Sequence, residues 1–250
     1  HPVAIVPLWW GTRRYLDLPA LTVGAMIPDI SYFIALQPVP NIGHSLSGIF
    51  LEGLPSAFVL LLICRYLLYK PLLALCPQAI ANRFPHRCPY LFDTLPRLLT
   101  IGCSVVVSAL THIVWDSFTH SYGWPVKQVT WLSSDLGALP VYKWLQYGSS
   151  VVGFVVLLVL LTGWVLQQPR RSYHKTLPLI GKVVASGAIG AVMLMTIWRA
   201  ISLYTTADRI YAGLGVRVVV SSVSGLFLGL CSYAMIFWML SSLQRDFIHH

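Results

Sequence analysis

The chain has 250 residues, of which 56% are hydrophobic and 10% charged, with a mean hydropathy of +0.71. Soluble domains carry about 25% charged residues, so this balance excludes a water-soluble globular enzyme and reads as an integral membrane protein with several apolar runs of about 18 residues or more. The formal charge of +9 would suit a nucleic-acid binder, but Lys and Arg fall mostly in loops between apolar runs, where they set orientation; nucleic acid is excluded as a partner.

Residues 1–17 begin apolar (Pro2 to Trp10) and turn basic at Arg13 and Arg14. Pro2 and Pro7 argue against a full span, and a short interfacial helix with Trp9 and Trp10 at headgroup depth is expected. The opening His1-Pro2, without a Met, is expected to be a processed or truncated end, and His249-His250 are given no function. Residues 18–36 form an apolar run interrupted by Gly24 and by Pro28-Asp29. A proline removes a helix hydrogen bond and an ionisable residue in lipid is costly, which predicts a broken or re-entrant helix with Asp29 turned inward. The plainer alternative is that Asp29 caps a helix.

Residues 37–43 read as a turn with His44 directly after it, and 46–69 as the first clear span. Glu52 inside this span has two open roles, holding a ligand histidine from behind or pairing with Arg199. Residues 71–96 read as a proline-rich loop carrying Arg83, His86, Arg87 and Arg97, with His86 a surface histidine. The second span, 98–119, is followed by a Trp- and Pro-containing interfacial loop, 121–144, with Asp135 a candidate extra carboxylate. Further spans are expected at 145–166, 179–204 and 216–241, with a basic loop of Arg170, Arg171, His174 and Lys175 between the first two. Gly225 and Gly229 form a small-xxx-small pair suited to close helix packing. The five cysteines have no CxxC spacing and an odd number, so lipid-facing or packed thiols are expected rather than a disulfide framework.

The fold class is therefore all-α: a polytopic membrane helix bundle of about five transmembrane helices plus a broken N-terminal segment. It is expected as a single membrane domain, 1–250, in which 1–45 is the interfacial and broken-helix segment, 46–120 holds the first two spans and 145–241 the other three. The basic loops after the first and third spans place those ends in the cytoplasm. His44 and the segment His112 to His120 then fall together at the outer ends.

That segment ends the second span and carries His112, Asp116 and His120 at four-residue intervals. On a helix these side chains lie within roughly 80° of one another. Two imidazoles and a carboxylate on one face suit a divalent transition metal, and beside lipid they are costly without a partner. The candidate ligands are His1, Asp29, His44, His112, Asp116 and His120. Six N/O donors suit two ions bridged by a carboxylate, which lower the pKa of bound water and clamp phosphoryl oxygens. No nucleophile elbow, Walker loop or Rossmann glycine pattern is present.

At these residues the chain resembles a known family. His1-Pro2, Ile27-Pro28-Asp29, Gly43-His44-Ser45 and Thr111-His112-Ile113-Val114-Trp115-Asp116 look like the motifs of small bacterial membrane proteins of unknown function, grouped near the membrane-bound metal-dependent hydrolases. That likeness covers most of the chain, including Pro140 to Ser150. The order His, Asp, His, HxxxD is also similar to that of the zinc-dependent phospholipase C and nuclease superfamily, soluble α-helical enzymes that hold several zinc ions. The resemblance implies His1, Asp29, His44, His112 and Asp116 as ligands of Zn2+, with His120 a further one. The later HxxxE pair is absent after His120, which favours one or two ions. The expected function is a metal-dependent hydrolase of the bacterial inner membrane with its site on the extracytoplasmic side. Its substrate would be a phosphoester of a lipid or lipid-linked molecule, attacked by a metal-bound water, with Asp29 or Asp116 bridging or orienting and an arginine binding phosphate. The alternatives are a non-catalytic metal-stabilised scaffold or partner subunit, and a transporter whose path is lined by Asp29, Glu52 and Arg199.

Overall fold

In lipid a backbone has no water to bond, so each long apolar run satisfies its N–H and C=O groups internally as a helix. The computed structural model describes residues 5–12, 15–36, 42–88, 92–170, 174–203 and 213–246, the last with side chains to residue 242. The protein is an all-α polytopic membrane helix bundle. Among the described residues, six segments are long and apolar enough to cross a bilayer: Leu18–Ala35, Leu46–Leu75, Leu95–Gln128, Val141–Gln167, Leu179–Ser202 and Leu214–Ser242. The last five correspond to the expected spans, and the first is the interrupted N-terminal run.

Helix α1 is Ile5–Thr12, in the region expected to be interfacial. The N-terminal run is broken as Pro28 requires: α2 (Leu18–Gly24, capped by Asp17) passes into a 3-10 turn (Ile27–Asp29) and then α3 (Ile30–Ala35). The next span joins α4 (Leu46–Gly48), a π segment (Ile49–Gly53), α5 (Leu54–Leu62), a second π segment (Ile63–Leu68) and α6 (Tyr69–Leu75). Each π segment lies just ahead of a proline, Pro55 or Pro71, whose ring would clash with the carbonyl four residues back in a regular α-helix. The expected loop from residue 71 therefore starts later. Helix continues to Leu75, and α7 (Gln78–Ala81) follows. After α8 (Leu95–Thr119), the expected interfacial loop is folded as α9 (Trp124–Gln128), α10 (Thr130–Ser133) and a two-residue hairpin, β1 (Asp135–Leu136) and β2 (Leu139–Pro140). The hairpin pairs Asp135 with Pro140 and Leu136 with Leu139, and Gly137 supplies the positive φ of 70° at its tip. Helices α11 (Val141–Gln167), α12 (Leu179–Ser202) and α13 (Leu214–Asp246) complete the chain. All five cysteines are free.

The chain packs as two compact units, one of His1–Asp29, Ile42–Leu61 and Leu91–Gln167, the other of Ile30–Asn41, Leu62–Tyr90 and Gln168–His250. In the first, α1 closes over α2 through Ile5, Leu21 and Ala25, with Leu8, Trp9 and Leu16 around them. A second small core, Val126, Leu132 and Val141, ties α9 and α10 to the start of α11.

In the second unit, α12 and α13 approach through the expected small pair. A Cβ at Gly225 would lie 2.7 Å from Met193 Cα, and one at Gly229 would lie 3.1 Å from Ile189 Cα. Helix α3 is fastened to α13 where Ser224 Oγ donates to Phe33 O (2.8 Å) and Ser221 Oγ to Leu36 O (3.0 Å). Pro71 has no N–H for the carbonyl of Leu67, and Trp238 Nε1 donates to that oxygen at 3.0 Å. Tyr233 OH donates to Pro71 O at 3.1 Å. A bare carbonyl in hydrocarbon costs several kcal/mol at most and about 1–3 kcal/mol by mutation. Trp238→Phe is therefore expected to lower stability by about 1–3 kcal/mol, read as a fall in melting temperature in detergent, whereas Trp198→Phe on the exposed side of α12 leaves it unchanged.

Candidate metal centre

The buried face of α8 is Ile101, Ser104, Val105, Ser108, Ala109, His112, Asp116 and Thr119, a helical stripe of three- and four-residue steps. Ser104, Ser108, His112 and Asp116 recur every fourth residue, and the first three meet α2 and the residues flanking it. Asp17 N–H donates to Ser104 Oγ (2.9 Å), Ser108 Oγ donates to Leu21 O (2.5 Å), and His112 Nδ1 lies 2.6 Å from Ala25 O. The offset is 87 residues at each rung, so the two helices run side by side in the same direction. One further step along α8 reaches Asp116, and the same step from Ala25 reaches Asp29.

This closeness depends on Gly24, where a Cβ would meet Val105 O at 2.6 Å and Val105 Cα at 2.8 Å. Beyond it the tight turn Ile27-Pro28-Asp29 brings Asp29 back toward α8. His44 enters from a second turn just ahead of α4. Ser45 caps that helix by accepting from Gly48 N–H (3.0 Å), and its hydroxyl donates to Ile42 O (2.6 Å). Gly48 sits so close to Ile42 O that any side chain there would open the turn holding His44.

Four side chains converge here. His44 Nε2 lies 3.4 Å from Asp29 Oδ1 and 3.3 Å from Asp116 Oδ2. His112 Nε2 lies 3.6 Å from Asp29 Oδ2 and 3.4 Å from Asp116 Oδ2. One donor atom from each of Asp29, His44 and His112 lies within 4.8 Å of the others, a set able to hold a metal ion. The Ala25 carbonyl only accepts, so His112 carries a proton on Nδ1 and a neutral ring turns its Nε2 lone pair toward the two carboxylates. Lone pair facing anionic oxygen is repulsive unless a positive charge, proton or metal ion, lies between them. An imidazole anchored through its other nitrogen to a backbone carbonyl is the usual arrangement around a metal. The His112 side chain is 1% exposed, while those of His44 and Asp29 are 20% and 25% exposed, so one side of the cluster opens outward.

His120 stands apart from this set. Helix α8 ends at Thr119 and His120 is already extended, with φ −129° and ψ 142°, so the helical-face geometry that aligned it with His112 and Asp116 stops short of it. Gln146 Nε2 donates to His120 Nε2 at 2.9 Å, which leaves the ring proton on Nδ1. That nitrogen lies 3.2 Å from Asp116 O and 3.8 Å from Asp116 Oδ1. His120 thus braces Asp116 and is itself braced by α11. His1 lies outside the described residues. Glu52 holds no ligand histidine and forms no ion pair among the described residues, and Asp135 is exposed on the hairpin. His86 is exposed, as expected, and its ring centroid lies 4.5 Å from that of His174 with the planes tilted by 41°.

Sequence reading missed Gln146, the Ala25 carbonyl and the rungs Ser104 and Ser108. The four-residue series Ser104, Ser108, His112, Asp116 was the available signal for the rungs. Nothing local marks Gln146.

A family model described as Domain of unknown function (DUF4184) matches residues 1–235. No curated protein and no solved structure matches the chain.

Proposed function

The chain belongs to the DUF4184 family, and from that premise and the cluster geometry we propose that it is a membrane-embedded metal-dependent hydrolase acting on a phosphoester of a lipid or lipid-linked substrate. The observation that carries the reading is the convergence of Asp29, His44 and His112 donor atoms within 4.8 Å, with Asp116 against both imidazoles. Histidine and carboxylate donors suit zinc, and a single ion fits this set better than two. A bound divalent ion supplies Lewis-acid activation of water and of a phosphoryl oxygen. Asp29, His44 and His112 would hold the ion. Asp116, braced by His120, would accept the proton of the attacking water.

Depth and openness support an interfacial substrate. His112 and Asp116 lie in the last turns of α8, and Trp124 and Trp131 beyond them are exposed as interfacial tryptophans are. Structural zinc sites are closed and catalytic sites keep an open position, and the partial exposure of His44 and Asp29 matches the second kind. By the distribution of basic loops the site faces the extracytoplasmic side of a bacterial inner membrane.

The test is zinc content by plasma mass spectrometry, together with hydrolysis of bis(p-nitrophenyl) phosphate and of a short-chain phospholipid, in wild type and Asp116→Asn. The expected result is bound zinc in both and turnover at least about 100-fold lower in the variant, the lower end for losing a general base. Equal turnover in the two proteins, or in wild type with and without chelator, would overturn the reading. A second reading, a metal-stabilised scaffold, is favoured by one observation: the donors come from three segments, so an ion would clamp them. It predicts that chelation lowers the melting temperature while no phosphoester is turned over.

A further inference from the structure

The second unit holds a recess of about 300 Å³ lined by Lys70, His86, Arg87, His174, Lys175 and Phe237. Every acidic residue whose side chain is described, Asp17, Asp29, Glu52, Asp93, Asp116 and Asp135, belongs to the first unit. Arg87 and Lys175 form no ion pair among the described residues. Three cations and two imidazoles thus share a concave surface with no described carboxylate of their own unit to balance them.

The recess is built rather than incidental. Its wall at residues 174–178 is bonded to α6 and α7: Leu177 N–H donates to Ala74 O (2.9 Å) and Gln78 Nε2 to His174 O (2.5 Å). His174 N–H donates to Asn82 Oδ1 (3.0 Å), and its ring Nε2–H to Phe84 O (2.8 Å). Lys182 Nζ adds a further tie between α12 and the end of α6 by donating to Cys76 O (2.8 Å). These bonds fix the His174 ring and the backbone that carries Lys175 before any ligand arrives, which lowers the ordering cost of binding.

Its place at the ends of the spans bears on the ligand. Lys70 lies in the last turns of the Leu46–Leu75 span and Lys175 four residues before α12. Lys70 Nζ sits 5.4 Å from the Trp238 ring, a cation–π contact of the kind found at headgroup level. Basic pockets between membrane helices at this level bind phosphate-bearing headgroups, and Phe237 gives the recess an apolar side.

We propose that this recess binds the phosphodiester headgroup of an anionic phospholipid. The recess shares no residue with the metal centre, and the proposal does not rest on it. The experiment uses the full chain in a neutral detergent and compares binding of dihexanoyl phosphatidylglycerol, dihexanoyl phosphatidylcholine and inorganic phosphate by calorimetry. Wild type is expected to prefer the anionic lipid. Each Lys or Arg near an anionic lipid surface is worth roughly fivefold in affinity, so the double variant Arg87→Gln, Lys175→Gln should bind phosphatidylglycerol roughly 25-fold more weakly. Lys127→Gln, an exposed cation of the first unit, should bind it like wild type. Equal affinity of wild type for the two lipids would overturn the proposal and requires no variant. Unchanged binding by the double variant would also overturn it, and full displacement of the lipid by an equal concentration of inorganic phosphate would reassign the site to free phosphate.

Discussion

His112→Ala is expected to strip the protein of bound zinc, with affinity at least about 100-fold lower, the upper end of what losing a bracing partner alone costs. His112 is the most enclosed donor of the cluster, with its side chain 1% exposed. Alanine removes Nε2 from between Asp29 and Asp116, so two carboxylates are left facing His44 alone. It also removes the Nδ1 bond to Ala25 O, 2.6 Å long, so a fall in stability of about 1–3 kcal/mol is expected as well. His44→Ala separates the two effects, because His44 sits on a turn at the open edge. It should lose zinc to a similar degree with a smaller fall in melting temperature. Wild-type zinc content in both variants would remove the metal centre from consideration.

Gly24→Ala should give the second large effect, although it adds one methyl group. The new Cβ would lie 2.6 Å from Val105 O, 2.8 Å from Val105 Cα and 3.1 Å from Ser108 Cβ. The first two are backbone atoms of a long helix and cannot rotate away, so α2 must move off α8. Overpacking of this kind costs about 1–3 kcal/mol. The displaced helix carries Leu21 and Ala25, which hold Ser108 and His112, so zinc content should fall together with melting temperature. Gly102→Ala is the control. Its Cβ would meet nothing nearer than Leu54 Cδ1 at 3.9 Å, and alanine favours helix over glycine by about 1 kcal/mol. It should be neutral or stabilising, and a Gly24→Ala protein as stable as Gly102→Ala would refute the close-approach argument.

Much of the architecture was legible because a bilayer leaves the backbone few options. Leu179–Ser202 and Leu214–Ser242 are apolar apart from Lys182, Arg199, Arg217 and small polar residues, and in lipid such runs can only be helices. Pro28 marked the break after α2 because a proline denies the helix a hydrogen bond wherever it sits. The same residue type misled at Pro71, where a π segment absorbs the ring, and Tyr233 on α13 bonds the proline's own carbonyl. The stretch after α8 reads as a loop because α9, α10 and the hairpin are each too short to set up a period. Their order comes from Val126, Leu132 and Val141 meeting in space.

The candidate site divides along the same line. By composition, apolar run length and the four-residue spacing of His112 and Asp116, the sequence alone determined a membrane helix bundle and the donors one helix face presents. Those are local properties, set by solvent and by 3.6 residues per turn. The sequence also named Asp29 and His44 as candidate donors, but only tertiary structure shows them reaching that face. Asp29 and His44 reach it because Gly24 lets α2 lie against α8 and Gly48 keeps the His44 turn closed. Tertiary structure also placed His120 beside the three-donor group rather than in it: α8 ends one residue before it, and Gln146 from α11 bonds its ring. Neither the end of a helix nor the approach of another is written in the spacing of the residues it affects.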